Sequence, residues 1–149
     1  MPNQRFKITP AVYLILEKDK KILLLRRINT GFEDGKYSLV AGHVKRGESV
    51  TAAMVRETEE EVGIKIMSED LKFVHVMHRF SVASGAGQKT RVDFFLKADK
   101  WTGEPKNLEP KKCDDLNWFD INNLPKNIIP YVRQAIVNVP KGVFYSEWG

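Results

Sequence analysis

Four glutamates, Glu57, Glu59, Glu60 and Glu61, crowd the end of the stretch GHVKRGESVTAAMVRETEEEVGI, residues 42–64. In a helix, like charges three or four residues apart repel by a few tenths of a kcal/mol per pair. Anions near a helix C-terminus also oppose the helix dipole. A chemical reason for keeping them follows from the spacing. At 100° per residue, Val50, Ala53 and Met54 share a face, and that stripe continues in steps of three and four onto Glu57, Glu60 and Glu61. Glu59 points to solvent. Val55 and Val62, with Thr58 between them, mark a second apolar face, so the helix is predicted to lie between two layers. Inward-facing carboxylates need protons or cations, because an unpartnered buried one costs several kcal/mol. Carboxylates and backbone carbonyls from the glycine loop just upstream form an oxygen-only set. Such a set suits Mg²⁺ or Mn²⁺, whereas Zn²⁺ would draw His or Cys.

The elements that must hold this helix are readable on either side of it. KITPAVYLILEKDKKILLLRR reads as two apolar strands around a polar turn at Glu17–Lys20. YSLVAGHV is a short strand running into a glycine turn. The helix spans residues 49–62, with Ser49 as N-cap and Gly63 where a left-handed C-cap is wanted. LKFVHVMHRFSV and TRVDFFLKAD read as strands with a Gly/Ser turn, Ser84–Gly87, between them. LNWFDI is a further short strand, and PYVRQAIVNV a last helix with Pro130 at its first position. The pattern predicts an α+β fold with a mixed sheet rather than a βαβ repeat.

The 149 residues suit one domain spanning 1–149, and 42% hydrophobic with 29% charged content is ordinary for a globular chain. No apolar run approaches membrane-spanning length, no signal-peptide core opens the chain, and the one cysteine, Cys113, has no internal partner. The expected compartment is cytoplasmic. The net charge of +5 serves solubility, or else an anionic partner such as a phosphorylated small molecule or nucleic acid. No Lys/Arg run exceeds two residues, which argues against a nucleic-acid-binding tail.

Residues 42–64 resemble the Nudix box, the signature of the Nudix hydrolases. Gly42, Glu48, Arg56, Glu57, Glu60, Glu61, Gly63 and the aliphatic Ile64 all stand at the box spacing. Chance agreement of its seven specified residues at a given start is on the order of 10⁻⁸ at average residue usage. Thr58, where an aliphatic residue is usual, and His43, where glycine is common, depart from it. The resemblance runs from about Lys7 to Asn138. It implies a Nudix fold, an α/β/α sandwich with a mixed sheet, and hydrolysis of a diphosphate linkage in a nucleoside diphosphate bonded to another group. It implies Glu57, Glu60 and Glu61 as ligands of Mg²⁺, with Mn²⁺ as a substitute, and Ala41 as a carbonyl donor. Arg56 would clamp a glutamate, Glu48 would support the loop–helix junction, and Glu57 would be the general base.

Residues 101–125, WTGEPKNLEPKKCDDLNWFDINNLP, resemble the same region of MutT-type nucleoside triphosphate diphosphatases. That likeness implies Glu109 as a further metal ligand and places Arg27 near the nucleotide. Arg26 alternates to the opposite face. Tyr131 and Trp118 are candidate base-stacking residues, the alternative being core or helix-packing aromatics. His75 and His78, three apart in a strand, face opposite sides and make a poor metal pair. The leading expectation is cleavage of a purine (deoxy)nucleoside triphosphate to monophosphate and pyrophosphate. The alternatives are ADP-ribose, a nucleotide sugar, NADH or a capped RNA end, or a non-catalytic nucleotide-binding module. The proline that ADP-ribose-cleaving relatives carry about fifteen residues past the box is absent; the region reads His78-Arg79-Phe80. The partner is a small nucleotide, with no membrane; homodimers occur in the family.

Overall fold

The computed structural model describes residues 4–80 and 90–149. Among the described residues, eight strands and two α-helices follow in the order β1 (Thr9–Lys18), β2 (Lys21–Arg27), β3 (Tyr37–Ser38), β4 (Val40–His43), α1 (Val50–Val62), β5 (Lys72–Arg79), β6 (Arg91–Ala98), β7 (Cys113–Asp120), α2 (Pro130–Asn138) and β8 (Tyr145–Trp148). The expected turn at Ser84–Gly87 lies outside the described residues.

β1 organises the sheet. One edge pairs in parallel with β6 from Thr9 to Leu16. The other edge is shared: Ala11–Leu14 pair antiparallel with β4, and Glu17 and Lys18 with β2. Beyond β6 come β5 and then β8, which runs parallel to β5. β2 also carries β3 and β7. The β1–β2 turn is tighter than expected. Asp19 and Lys20 both have positive φ (52° and 61°), the two-residue type I′ pattern that matches strand twist. Glu17 and Lys18 therefore belong to the strand.

Alternation along β1 builds two cores. Ala11, Tyr13 and Ile15 face α2 with Tyr131, Val132, Ala135 and Ile136. Val12, Leu14 and Leu16 face α1 with Ala53, Met54 and Val62. This is the expected α/β/α sandwich. The segment YSLVAGHV divides at Leu39, its first part pairing with β2 and its second with β1. β7 starts three residues earlier than expected, at Cys113. Paired, among the described residues, only with β2, it tolerates outward carboxylates, and Asp114 takes the Arg26 guanidinium at 2.7 and 3.0 Å. β8 was not foreseen, since YSEW is short and half exposed. His75 ties it down: its Nδ1 lies 2.8 Å from the Val143 carbonyl and its Nε2 2.7 Å from the Ser146 hydroxyl.

α1 requires a correction. Ser49 caps it, its hydroxyl accepting from the Ala52 N–H, and Gly63 closes it at φ 72°. It lies against one layer, however, rather than between two. Thr58 is buried and donates its hydroxyl to the Met54 carbonyl at 2.7 Å. The two apolar faces merge into a single buried arc of roughly 200°, from Ala53 round to Val55. Glu57 and Glu61 fall inside that arc. Glu60 falls just past its edge and is exposed, alongside Glu59.

Candidate active site

Glu57 and Glu61 reach the site by passing the edge of β4, and the backbone there is shaped to let them. A Cβ on Gly42 would lie 2.1 Å from Glu57 Cδ, so only glycine leaves room for that carboxylate. Next to it, the Ala41 N–H donates to Glu61 Oε2 at 3.2 Å. A strand residue presents its N–H and C=O to the same edge, so the Ala41 carbonyl faces the site as well.

Arg56 is the hub. Its Nε and Nη2 donate to both oxygens of Glu48, at 2.7 and 2.9 Å, a bidentate pair. Nη1 donates to Glu57 Oε1 at 2.8 Å and to Glu60 Oε2 at 3.3 Å, and Nη2 also reaches the His43 carbonyl at 3.1 Å. Glu48 accepts in addition from the Lys45 N–H at 3.0 Å. One guanidinium thus bolts the glycine loop to the helix and fixes one oxygen of Glu57. Hydrogen bonds from Arg56 and the Lys45 N–H hold the Glu48 carboxyl down at about 2.

The inner carboxylates behave oppositely. Burial pushes Glu57 up despite its bond to Arg56. Burial, and then the charge of Glu57, push Glu61 well up, with the Ala41 N–H and Arg27 opposing. Glu109, on the loop before β7, lines the same cleft, and its charge raises both. Among the described residues, no three His, Cys, Asp or Glu side chains stand close enough to close on one ion as placed. The donor set still fits a hard divalent cation. It is all oxygen, its carboxylates repel one another, and two of them are desolvated without full compensation.

The cleft, about 1070 Å³, continues from these carboxylates across the α2 face of the sheet. Lys45, Lys112 and Arg27 stand along it. Its floor follows the register from Ala41 on β4, through Tyr13 and Ala11 on β1, to Arg91 on β6, Arg79 on β5 and Trp148 on β8. Four strand spacings of about 4.8 Å make that floor roughly 19 Å wide. At its middle, Asp93 is fully buried and takes Arg79 Nε at 2.5 Å and Nη2 at 3.1 Å. Arg79 also lies 4.0 Å over the Tyr131 ring, and the Tyr131 hydroxyl meets that of Tyr13 at 2.9 Å.

The expected substrate contacts are redistributed by this geometry. Trp118 is a correction: it stacks on Trp101 at 5.9 Å and does not line the cleft. Tyr131 lines the cleft, but it is buried and Arg79 covers its ring. Arg27 lines the cleft with its Nε and Nη2 donating to the Phe32 carbonyl and the Thr30 hydroxyl. The Arg79–Asp93 pair was missed, though an aspartate ahead of two phenylalanines in a strand is the mark of a buried charge needing a partner.

A mixed-sheet sandwich with a glycine loop and a glutamate helix at one end of a long cleft defines a fold class that comparison identifies. Residues 7–138 match the NUDIX domain, and the chain belongs to the Nudix hydrolase family. It is 36% identical over 128 residues to the ADP-ribose pyrophosphatase of Methanocaldococcus jannaschii, covering 85% of this chain and 71% of that one. It is 30% identical over 119 residues to the NAD-capped RNA hydrolase NudC of Chromobacterium violaceum, matching 80% of this chain but spanning only 40% of that protein. The crystal structure of a MutT NUDIX hydrolase from Burkholderia pseudomallei matches at TM-score 0.80 with 28% identity, covering 89% of this chain and 98% of that one. The protein is an enzyme that hydrolyses diphosphate linkages, in a family that uses divalent metal ions. Among the described residues, no helix is long and apolar enough to cross a membrane.

Proposed function

We propose that the enzyme cleaves a (deoxy)nucleoside triphosphate between its α and β phosphates, releasing monophosphate and pyrophosphate with Mg²⁺ as the metal. The observation that carries this reading is the make-up of the carboxylate end of the cleft. Glu109, on a separate loop, lines the same cleft as Glu57 and Glu61 and its charge acts on both, and Lys45, Lys112 and Arg27 line that cleft as well. A triphosphate carries more charge than a two-sided diphosphate and calls for this extra density of ligands and cations. Glu57, Glu61, Glu109 and the Ala41 carbonyl would hold the metal, and the exposed Glu60 would complete the set from the cleft side. A bound divalent cation supplies charge neutralisation and an acidified water. Arg56 occupies one oxygen of Glu57 and leaves the other, with its two lone pairs, to face both the metal and the proton to be accepted. Lys45 and Lys112 offset phosphate charge.

The relative from M. jannaschii favours a second reading, hydrolysis of ADP-ribose. One screen separates the two. Purified protein is assayed with Mg²⁺ against triphosphates, ADP-ribose, nucleotide sugars and NADH in ¹⁸O-labelled water. Monophosphate and pyrophosphate are expected from triphosphates, with activity lost to chelator and restored by Mg²⁺. The proposal falls if ADP-ribose or NADH is cleaved with a kcat/KM at least tenfold above every triphosphate, about 1.4 kcal/mol of transition-state preference.

A further inference from the structure

The loop between β2 and β3, residues 28–36, adopts a costly conformation that is tightly held. Asn29 and Glu33 sit at φ 53° and 51°, a region L-residues avoid, and Gly31 and Gly35 at 80° and 83°. Strain of this kind persists only where the surroundings impose it, and it concentrates at functional sites. Asp34 imposes it here. Its carboxylate accepts from the Thr30 N–H at 3.1 and 3.2 Å, from the Gly31 N–H at 2.9 Å, and from the Thr30 hydroxyl. These bonds hold its carboxyl below the usual range. Arg27 braces the loop from inside, donating to the Phe32 carbonyl at 2.8 Å and the Thr30 hydroxyl at 3.1 Å.

What this bracing presents is Phe32. The residue is 38% exposed, lines the cleft, and has the Arg27 guanidinium 5.5 Å from its ring centroid. An aromatic ring held in water on a rigid loop, with a cation behind one face, offers the other face to a flat partner. We propose that Phe32 is the platform on which the nucleobase of the substrate stacks, and that Asp34 is the residue that positions it. Stacking of this kind tolerates any base, because every base has a π-face. The assignment rests on the substrate's being a nucleotide, but not on which anhydride bond is cut. It also gives Arg27 a role behind the ring in place of direct contact with the nucleotide.

Binding without hydrolysis tests it. The full chain is titrated calorimetrically with a nucleoside monophosphate and with ribose 5-phosphate, which lacks only the base. Phe32→Ala is expected to weaken the monophosphate at least tenfold, about 1.4 kcal/mol, and so to narrow the gap between the two ligands. Phe32→Tyr, which keeps the ring, should restore that gap. Asp34→Ala should narrow it as well, and should raise KM for nucleotide substrates more than it lowers kcat. The proposal is overturned if Phe32→Ala binds the monophosphate as tightly as wild type, or if both ligands weaken equally. A preference for ADP-ribose over triphosphates would sink the proposed reaction and leave the stacking platform standing, because the binding titration involves no cleavage.

Discussion

Gly42→Ala should separate the positioning of Glu57 from the stability of the fold. Gly42 lies in β4 without a positive φ, so alanine meets no backbone strain there. The added Cβ would, however, lie 2.1 Å from Glu57 Cδ and 2.2 Å from Oε1, where ordinary contact begins at 3.4 Å. The carboxylate must therefore retreat by about 1.3 Å from its place. Its tether, the 2.8 Å bond to Arg56, resists, because Arg56 is itself fixed on Glu48. Misplacement of a reacting group by about 1 Å can cost on the order of a hundredfold in rate. Crowding of this kind costs about 1–3 kcal/mol of stability. We therefore expect kcat to fall about a hundredfold under saturating Mg²⁺ and substrate. The melting temperature, followed by calorimetry, should drop by roughly 2–4 °C for each kcal/mol lost. A variant that keeps kcat within about threefold of wild type would refute the reasoning, since Glu57 would then need no fixed place.

Glu61→Gln removes a desolvated charge beside Glu57 while the amide oxygen can still accept from Ala41; turnover should fall at least a hundredfold, about 2.7 kcal/mol of barrier, with melting temperature level or raised, and a marked loss of stability would count against it. Glu48 is held at about 2 in the fold, so its contribution is present above the ordinary glutamate value and fades as pH falls from there toward 2. Urea midpoints measured across that window should fall more steeply for wild type than for Glu48→Gln, and parallel curves would contradict this. Arg79→Met strands the buried Asp93 carboxylate and should cost about 3–5 kcal/mol, read from urea unfolding; the double change with Asp93→Leu should recover part of the loss, and a single variant losing under about 1 kcal/mol would show the pair to be solvated.

The fold was legible wherever the signal was local. The apolar runs of β1 and β2 marked them as strands, and Ser49 and Gly63 marked the helix ends by the backbone geometry that only such residues serve well. Glu57 and Glu61 were placed by periodicity alone. Glu60, placed on the same inward stripe, is exposed instead, because 100° steps do not settle a residue at the rim of an arc until the arc's width is known, and burial of Thr58 sets that width. Trp118 illustrates a second limit. An aromatic beside a candidate site satisfies the same pattern whether it faces the cleft or another tryptophan, and strand pairing across nearly a hundred residues of sequence decides between them. β8 was invisible because four half-exposed residues gain their structure from β5 and His75 rather than from their own pattern. The strained Asn29–Gly35 loop, finally, depends on one carboxylate accepting several donors, which composition does not encode.

The double burial of β1 has a consequence for how damage to this protein would show itself. AVYLIL, residues 11–16, carries no charge, no proline and strong β-propensity, the make-up of a segment that self-associates when released. In the native sheet β6 pairs along the whole of one edge and β4 covers the other over Ala11–Leu14. The charged run EKDKK that follows separates it from ILLL and acts as a gatekeeper between two sticky segments. Once the sheet opens, that run protects only one end. Variants that loosen the sheet far from the glutamates, Arg79→Met among them, should therefore be noticed first as insoluble protein, while the fraction that stays in solution keeps the carboxylate end of its cleft intact.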